Sequence, residues 1–164
     1  RKMLEQAQLF LDMKSSNDWA SASAKDLPNE YMQQLVSQLL TPALQTLRLG
    51  PAEGVGSVAG QVVGGVLEAL LAHLLNIKAR ISRQGARRLQ LDIDYLENWV
   101  QTSAAVPPCL RAPLLRLPVL ARCRHVLALL LPPKLMSDEI NSSPLPDKHA
   151  WIARRSRTKR GLFC

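Results

Sequence analysis

Residues 51–82 read Pro51-Ala-Glu-Gly-Val-Gly-Ser-Val-Ala-Gly-Gln-Val-Val-Gly-Gly-Val-Leu-Glu-Ala-Leu-Leu-Ala-His-Leu-Leu-Asn-Ile-Lys-Ala-Arg-Ile-Ser82. One stripe at helical spacing is Val58, Val62, Val66, Leu70, Leu74, Ile77 and Ile81. Beside it run Val55, Ala59, Val63, Leu67, Leu71 and Leu75. Together they form an apolar band wider than a two-stranded coiled-coil seam and suited to burial against more than one neighbour. Pro51 suits a first turn, and Glu53 lies where the helix dipole welcomes negative charge. The pattern predicts one helix of roughly 45–50 Å at 1.5 Å per residue. Gln61, Glu68, His73 and Asn76 interrupt any window of about 20 residues, which argues against a membrane span. Gly56, Gly60 and Gly64 recur every four residues. They read either as a groove for close helix approach or as a weakly helical, frayed first half, each Gly costing about 0.8–1 kcal/mol relative to Ala.

Two residues later comes Gly85-Ala-Arg-Arg-Leu-Gln-Leu-Asp-Ile-Asp-Tyr-Leu-Glu-Asn-Trp-Val100. Gly85 marks a turn, and a helix over about Ala86 to Thr102 follows. Leu89, Ile93, Leu96 and Val100 form one face, with Tyr95 and Trp99 on an adjacent one. Asp94 and Glu97 have capping-box spacing, so a start at Asp94 is an alternative. Lys78, Arg80, Arg83, Arg87 and Arg88 gather around the junction of the two helices. They either complement the negative end of the long helix or form a patch for acidic lipid or an acidic partner.

Outward from this pair the pattern stays helical. Residues 2–14 read as the end of a helix whose start is missing, and Ser15 to Ser23 as a loop that Trp19 pins to the body. A further helix is expected from Asp26–Pro28, with Tyr31, Met32, Leu35, Val36, Leu39, Leu40, Ala43, Leu44 and Leu47 inward and a kink at Pro42. Val106 to Pro113 reads as a rigid connector, and Pro118 opens a last helix, Val119 to Leu131, closed by Pro132-Pro133. Lys134 to Ile140 adds a short helical turn. From Asn141 the chain reads as a disordered basic tail in which Trp151 is available for a membrane interface.

The net charge of +8 is concentrated in that tail: six cations and one acid from Asp147 onward give +5. Arg154-Arg-Ser-Arg-Thr-Lys-Arg160 suggests nuclear import, nucleic acid or anionic membrane, although no aromatic is interleaved for base stacking. Cys109, Cys123 and Cys164 are too sparse for a disulfide framework and point to a reducing, intracellular compartment, cytoplasmic with nuclear entry open. Cys123 and His125 stand two apart on a helix and do not face each other, so no thiol–imidazole nucleophile is expected. Asp92, Asp94 and Glu97 lack the second cluster of ligands that a metal site needs. No phosphate loop, dinucleotide fingerprint or nucleophile elbow is present. No cofactor and no small-molecule substrate is expected. The chain starts at Arg1 rather than Met, which reads as a fragment from the C-terminal part of something longer.

At Leu89-Gln-Leu-Asp-Ile-Asp-Tyr-Leu-Glu-Asn-Trp-Val100, preceded by Gly85 and the long helix, the chain resembles the C-terminal domain of the coiled-coil domain-containing protein 142 family. The likeness spans roughly Lys2 to Met136 and rests mainly on Gly50 to Val100. It implies no catalytic residue. The same pattern is loosely similar to the C-terminal helical bundles of vesicle-tethering complex subunits, which implies rod-like bundles that bind other proteins. The resulting expectation is an all-α fold: an antiparallel bundle of four or five helices with a long central helix and a disordered basic C-terminal tail. Residues 1–24 are the truncated helix plus loop, 25–140 the bundle and 141–164 the tail. Val58, Val62, Val66, Leu67, Leu70, Leu71, Leu74, Ile93, Leu96 and Val100 are expected to be buried, and part of the Leu35–Leu47 face exposed by truncation. The expected role is a non-enzymatic protein-interaction module, with nucleic-acid or anionic-membrane binding through the tail as the alternative. Candidate contact residues are Arg80, Arg83, Arg87, Arg88, Arg154, Arg155, Arg157, Lys159 and Arg160.

Overall fold

A computed structural model describes Glu5, Trp19 and residues 27–48, 54–77, 80–132 and 137–155. Most of these are helical. Among them there is no strand, only one isolated parallel bridge between Ile81 and Arg155. The expected helix end at 2–14 lies outside the described residues apart from Glu5, as does the loop at 15–23 apart from Trp19.

The first rod is α1 (Glu30–Gln34), a π-wound stretch (Leu35–Leu40) and α2 (Thr41–Arg48). It starts later than the Asp26–Pro28 expected, because Asn29 is extended and takes the capping position. Pro42 has no N–H for the Gln38 carbonyl, and the wider π turns lie directly before this break in the ladder. Leu35, Val36, Leu39, Leu40 and Leu44 are all buried, and α2 packs on α3. The expected exposed truncation face is therefore absent from this stretch.

Helix α3 (Val55–Asn76) begins after Gly54, whose φ of 82° suits a residue without Cβ. Its 22 residues make a rod of about 33 Å, shorter than expected. It ends because the connector is taken up by tertiary contacts. Ile77 is extended, and both Ile77 and Ile81 enter the core. The Ile77 carbonyl accepts from the Arg154 guanidinium, and the Ile81 N–H donates to the Arg154 carbonyl at 2.7 Å. Ala59, Val63, Val66, Leu67, Leu70, Leu71 and Leu74 are buried, whereas Val62 is half-buried and Val58 is 41% exposed, contrary to expectation. The glycine edge explains the rotation. Leu110, Leu117 and Val119 lie beside Gly56, Gly60 and Gly64, at 3.4, 3.6 and 3.9 Å from where a Cβ would stand. Turning that edge inward turns Val58 outward. The helix is continuous across the glycines, so the frayed reading does not hold, and it is side chains rather than another helix backbone that lie along them. By length and composition α3 is apolar enough to cross a bilayer, contrary to the expectation from sequence; in this fold its buried stripe packs against α2 and against residues 108–115, 118–130 and 148–154.

Helix α4 (Arg83–Thr102) starts three residues earlier than expected, with Ser82 as its cap: the Ser82 Oγ accepts from the Gly85 N–H at 3.0 Å. Gly85 is thus inside the first turn, not a break. The Ser82 N–H and Oγ–H both donate to the Trp19 carbonyl at 3.0 Å, and Trp19 is 1% exposed, edge-on to Tyr31. Trp19 does pin its segment to the body, though its backbone is helical. Residues 108–115, expected as a connector, wind into α5 (Pro108–Leu115); Pro108 in the first turn forfeits no helical bond. Helix α6 (Pro118–Leu130) agrees with the Pro118 start and packs against α3, α4 and residues 148–154.

Helix α7 (Ser137–Ser142) overlaps the short helical turn expected over Lys134 to Ile140, whereas α8 (Lys148–Arg154) occupies what was expected to be disordered tail. Trp151 is 0% exposed in the core, not presented to a membrane. Arg122 on α6 reaches Glu68 on α3 at 2.8 Å and Asp147 before α8 at 2.7 Å, fastening the three elements together. Charge counting missed α8 because one indole outweighs several solvated cations in burial energy. Residues 156–164 lie outside the described residues.

The glycines differ in what they tolerate. A Cβ at Gly85 would fall 2.3 Å from the Trp19 carbonyl oxygen, a backbone atom, whereas Gly60 has room for a methyl group. Gly85→Ala should lower stability by about 1–3 kcal/mol, and Gly60→Ala should raise it by about 0.5–1 kcal/mol through helix propensity. Chemical denaturation of both variants checks this; equal effects would contradict the close approach.

Candidate functional site

The most enclosed polar group is Asp92, 0% exposed on α4. It lies three residues after Leu89 and four before Leu96, on the face that packs inward. One carboxylate oxygen accepts from the Asn29 backbone N–H at 2.6 Å. The other accepts from the Asn29 Nδ2 and the Tyr31 hydroxyl, each at 2.6 Å. Asp92 thus accepts, from another helix, the backbone N–H of the capping residue itself, and it sits at the positive end of the first rod. Asn29 makes no side-chain cap for its own helix. Burial, followed by the Asp92 charge and hydrogen bond, holds the Tyr31 phenol well above its usual range, so it stays a donor.

The acidic trio considered from sequence is dispersed. Asp94 is exposed, and Glu97 accepts from Arg124 at 2.6 Å. No group of three potential metal ligands occurs among the described residues. Asp92 was legible as the member at core spacing; its donors, more than sixty residues upstream, had no local signal. Cys123 is buried and His125 exposed, so the two do not form a pair. Burial, with Glu68 second, pushes the Cys123 thiol up to about 12, the reverse of what a nucleophile needs.

Of the basic residues singled out, Arg80, Arg83 and Arg87 are exposed and Arg88 is half-buried. Arg80 lies in the α3–α4 connector. Arg83, Arg87 and Arg88 occupy the first two turns of α4, not the last turn of α3, so the helix-dipole explanation fails for them. Among the described residues, Arg154 donates to the Ile77 carbonyl at the end of α3. Arg155 is half-buried and donates to the Leu129 carbonyl at 3.4 Å. The structure therefore brings Arg154 and Arg155 against the connector that carries Arg80. Arg157, Lys159 and Arg160 lie outside the described residues.

A family model described as Coiled-coil protein 142 matches residues 4–158. The human coiled-coil domain-containing protein 142 is 29% identical over 118 residues, covering 71% of this chain and 16% of that protein. The chain thus spans a small part of the length of the curated relative it matches. No solved structure matches.

Two outcomes follow from this geometry. Asp92→Ala leaves three buried donors without their acceptor and should cost about 3 kcal/mol or more; an unchanged melting temperature would refute the cross-helix cap. In the folded protein near neutral pH, iodoacetamide should modify exposed Cys109 and spare Cys123, which reacts only after denaturation. Peptide mass spectrometry resolves the two, and equal labelling would contradict the packing.

Proposed function

The chain belongs to the Coiled-coil protein 142 family, and on that premise we propose that it is a non-enzymatic helical scaffold, a module for protein–protein interaction. The observation that carries this reading is the employment of its chemistry-bearing side chains. The Asp92 carboxylate heads the first rod, Glu68 and Asp147 hold Arg122, Glu97 holds Arg124, and the Cys123 thiol is kept neutral in the core. The carboxylates each join one structural element to another, which is the work of a scaffold rather than of a catalyst. In this reading α3, α4 and α6 are staves of an antiparallel bundle in an intracellular, cytoplasmic protein. The specific form suggested by the tether likeness is a module within a multi-subunit assembly.

The surface narrows how a partner is held. Among the described residues only Leu27 and Val58 are large apolar side chains left exposed. An interface centred on a broad apolar patch is therefore disfavoured, and polar or charged contacts are the expected mode.

Affinity capture with the full chain, beside the same chain lacking residues 30–155, tests the proposal. A scaffold predicts partners recovered in near-stoichiometric amounts by the intact protein and lost on deletion. Recovery of tethering-complex subunits would support the narrower form. Identical captures from both proteins would overturn the reading.

A further inference from the structure

Two acid-free stretches meet at one end of the molecule. Residues 77–91 carry five cations and no acid, and residues 148–164 carry six cations and no acid. The bridge between Ile81 and Arg155 and the bond from the Ile81 N–H to the Arg154 carbonyl lay Arg154 and Arg155 of the second stretch against the first. Arg154 and Arg155 are occupied by the carbonyls of Ile77 and Leu129. Arg80, Arg83 and Arg87 remain exposed, and they form no ion pair among the described residues.

Folding alone does not reward this arrangement. Arg83 and Arg87 stand one turn apart on the same side of α4, at the end where the helix dipole repels cations. Four carboxylates, by contrast, are matched within the fold: Glu68 and Asp147 to Arg122, Glu97 to Arg124, and Asp92 to buried donors. An anionic partner would supply the missing charge. Guanidinium suits phosphate in particular, because its planar fork donates two parallel hydrogen bonds.

We propose that this end of the molecule, built from the α3–α4 connector, the start of α4 and the end of α8, docks on an anionic phospholipid surface. A bilayer acts through a potential that falls off over the Debye length, so arginines scattered over one end contribute without a matched register. Nucleic acid is the less suited partner. The only aromatic residue of 148–155 is Trp151, which is buried, so no ring is offered for base stacking. The surface differs from a tail acting alone, because the connector arginines are fixed by the fold.

Co-sedimentation of the full chain with phosphatidylcholine vesicles, with and without phosphatidylserine, tests this. Binding should require phosphatidylserine and fall with added salt. Each of Arg80→Ala, Arg83→Ala and Arg87→Ala should weaken partitioning about fivefold, and the triple variant about a hundredfold. These side chains are exposed, and an unchanged thermal melt confirms folding. Exposed Arg116→Ala, beside the Leu117 that covers Gly60 toward the other end of α3, should bind as the parent does. A chain ending at Arg155 should keep the part of the binding that depends on Arg80, Arg83 and Arg87. Parental binding by the triple variant, complete loss on removing 156–164, or tight binding to duplex DNA with none to the vesicles would each overturn the proposal.

Discussion

A fully enclosed carboxylate sets the strictest condition on this fold. Asp92 can remain charged inside the protein only if its oxygens are met by donors, since a bare buried charge costs several kcal/mol. Asn29 and Tyr31 supply those donors from the head of the first rod. Docking of the first rod is thus required by α4: Asp92 takes the Asn29 N–H directly before α1 and the Tyr31 hydroxyl within it. Neither helix is satisfied without the other, which makes the contact specific in a way that Leu-on-Leu packing is not.

The same economy governs the connector between α3 and α4. Trp19 closes over it from upstream, accepting two hydrogen bonds from Ser82, and Arg154 closes over it from downstream, contacting Ile77 and Ile81. Segments distant in sequence converge on a few residues that would otherwise extend α3. Arg122 repeats the device on the other side, drawing α3 and the start of α8 to α6. Charged and aromatic groups act here as joints between helices whose apolar faces supply most of the stabilisation.

Local pattern was enough to read α4 and α6, because their apolar residues keep a 3.6 period and Pro118 marks the start of α6, although the Ser82 cap of α4 went unread. It was also enough for the inner stripe of α3 from Val66 to Leu74. It failed where distant residues decide. Nothing between Ile77 and Ser82 breaks a helix; Arg154 and Trp19 do. Val58 has the right spacing but the wrong azimuth, fixed by side chains of α5 and α6 lodging along Gly56, Gly60 and Gly64. The C-terminal region looked unstructured by charge, yet Leu145 and Trp151 are buried. Of the candidate residues, the convergence of the connector with the end of α8 could not be seen from composition, since more than seventy residues separate Ile81 from Arg154.

The central claim is that the polar groups of this chain bind its helices into one cooperative body. Native-state hydrogen exchange, followed by mass spectrometry as denaturant is raised, tests it directly. The account predicts that peptides from residues 35–48 and 89–100 lose protection together, at one opening free energy and with the same denaturant dependence. Free exchange of the first rod while α4 stays protected would contradict it.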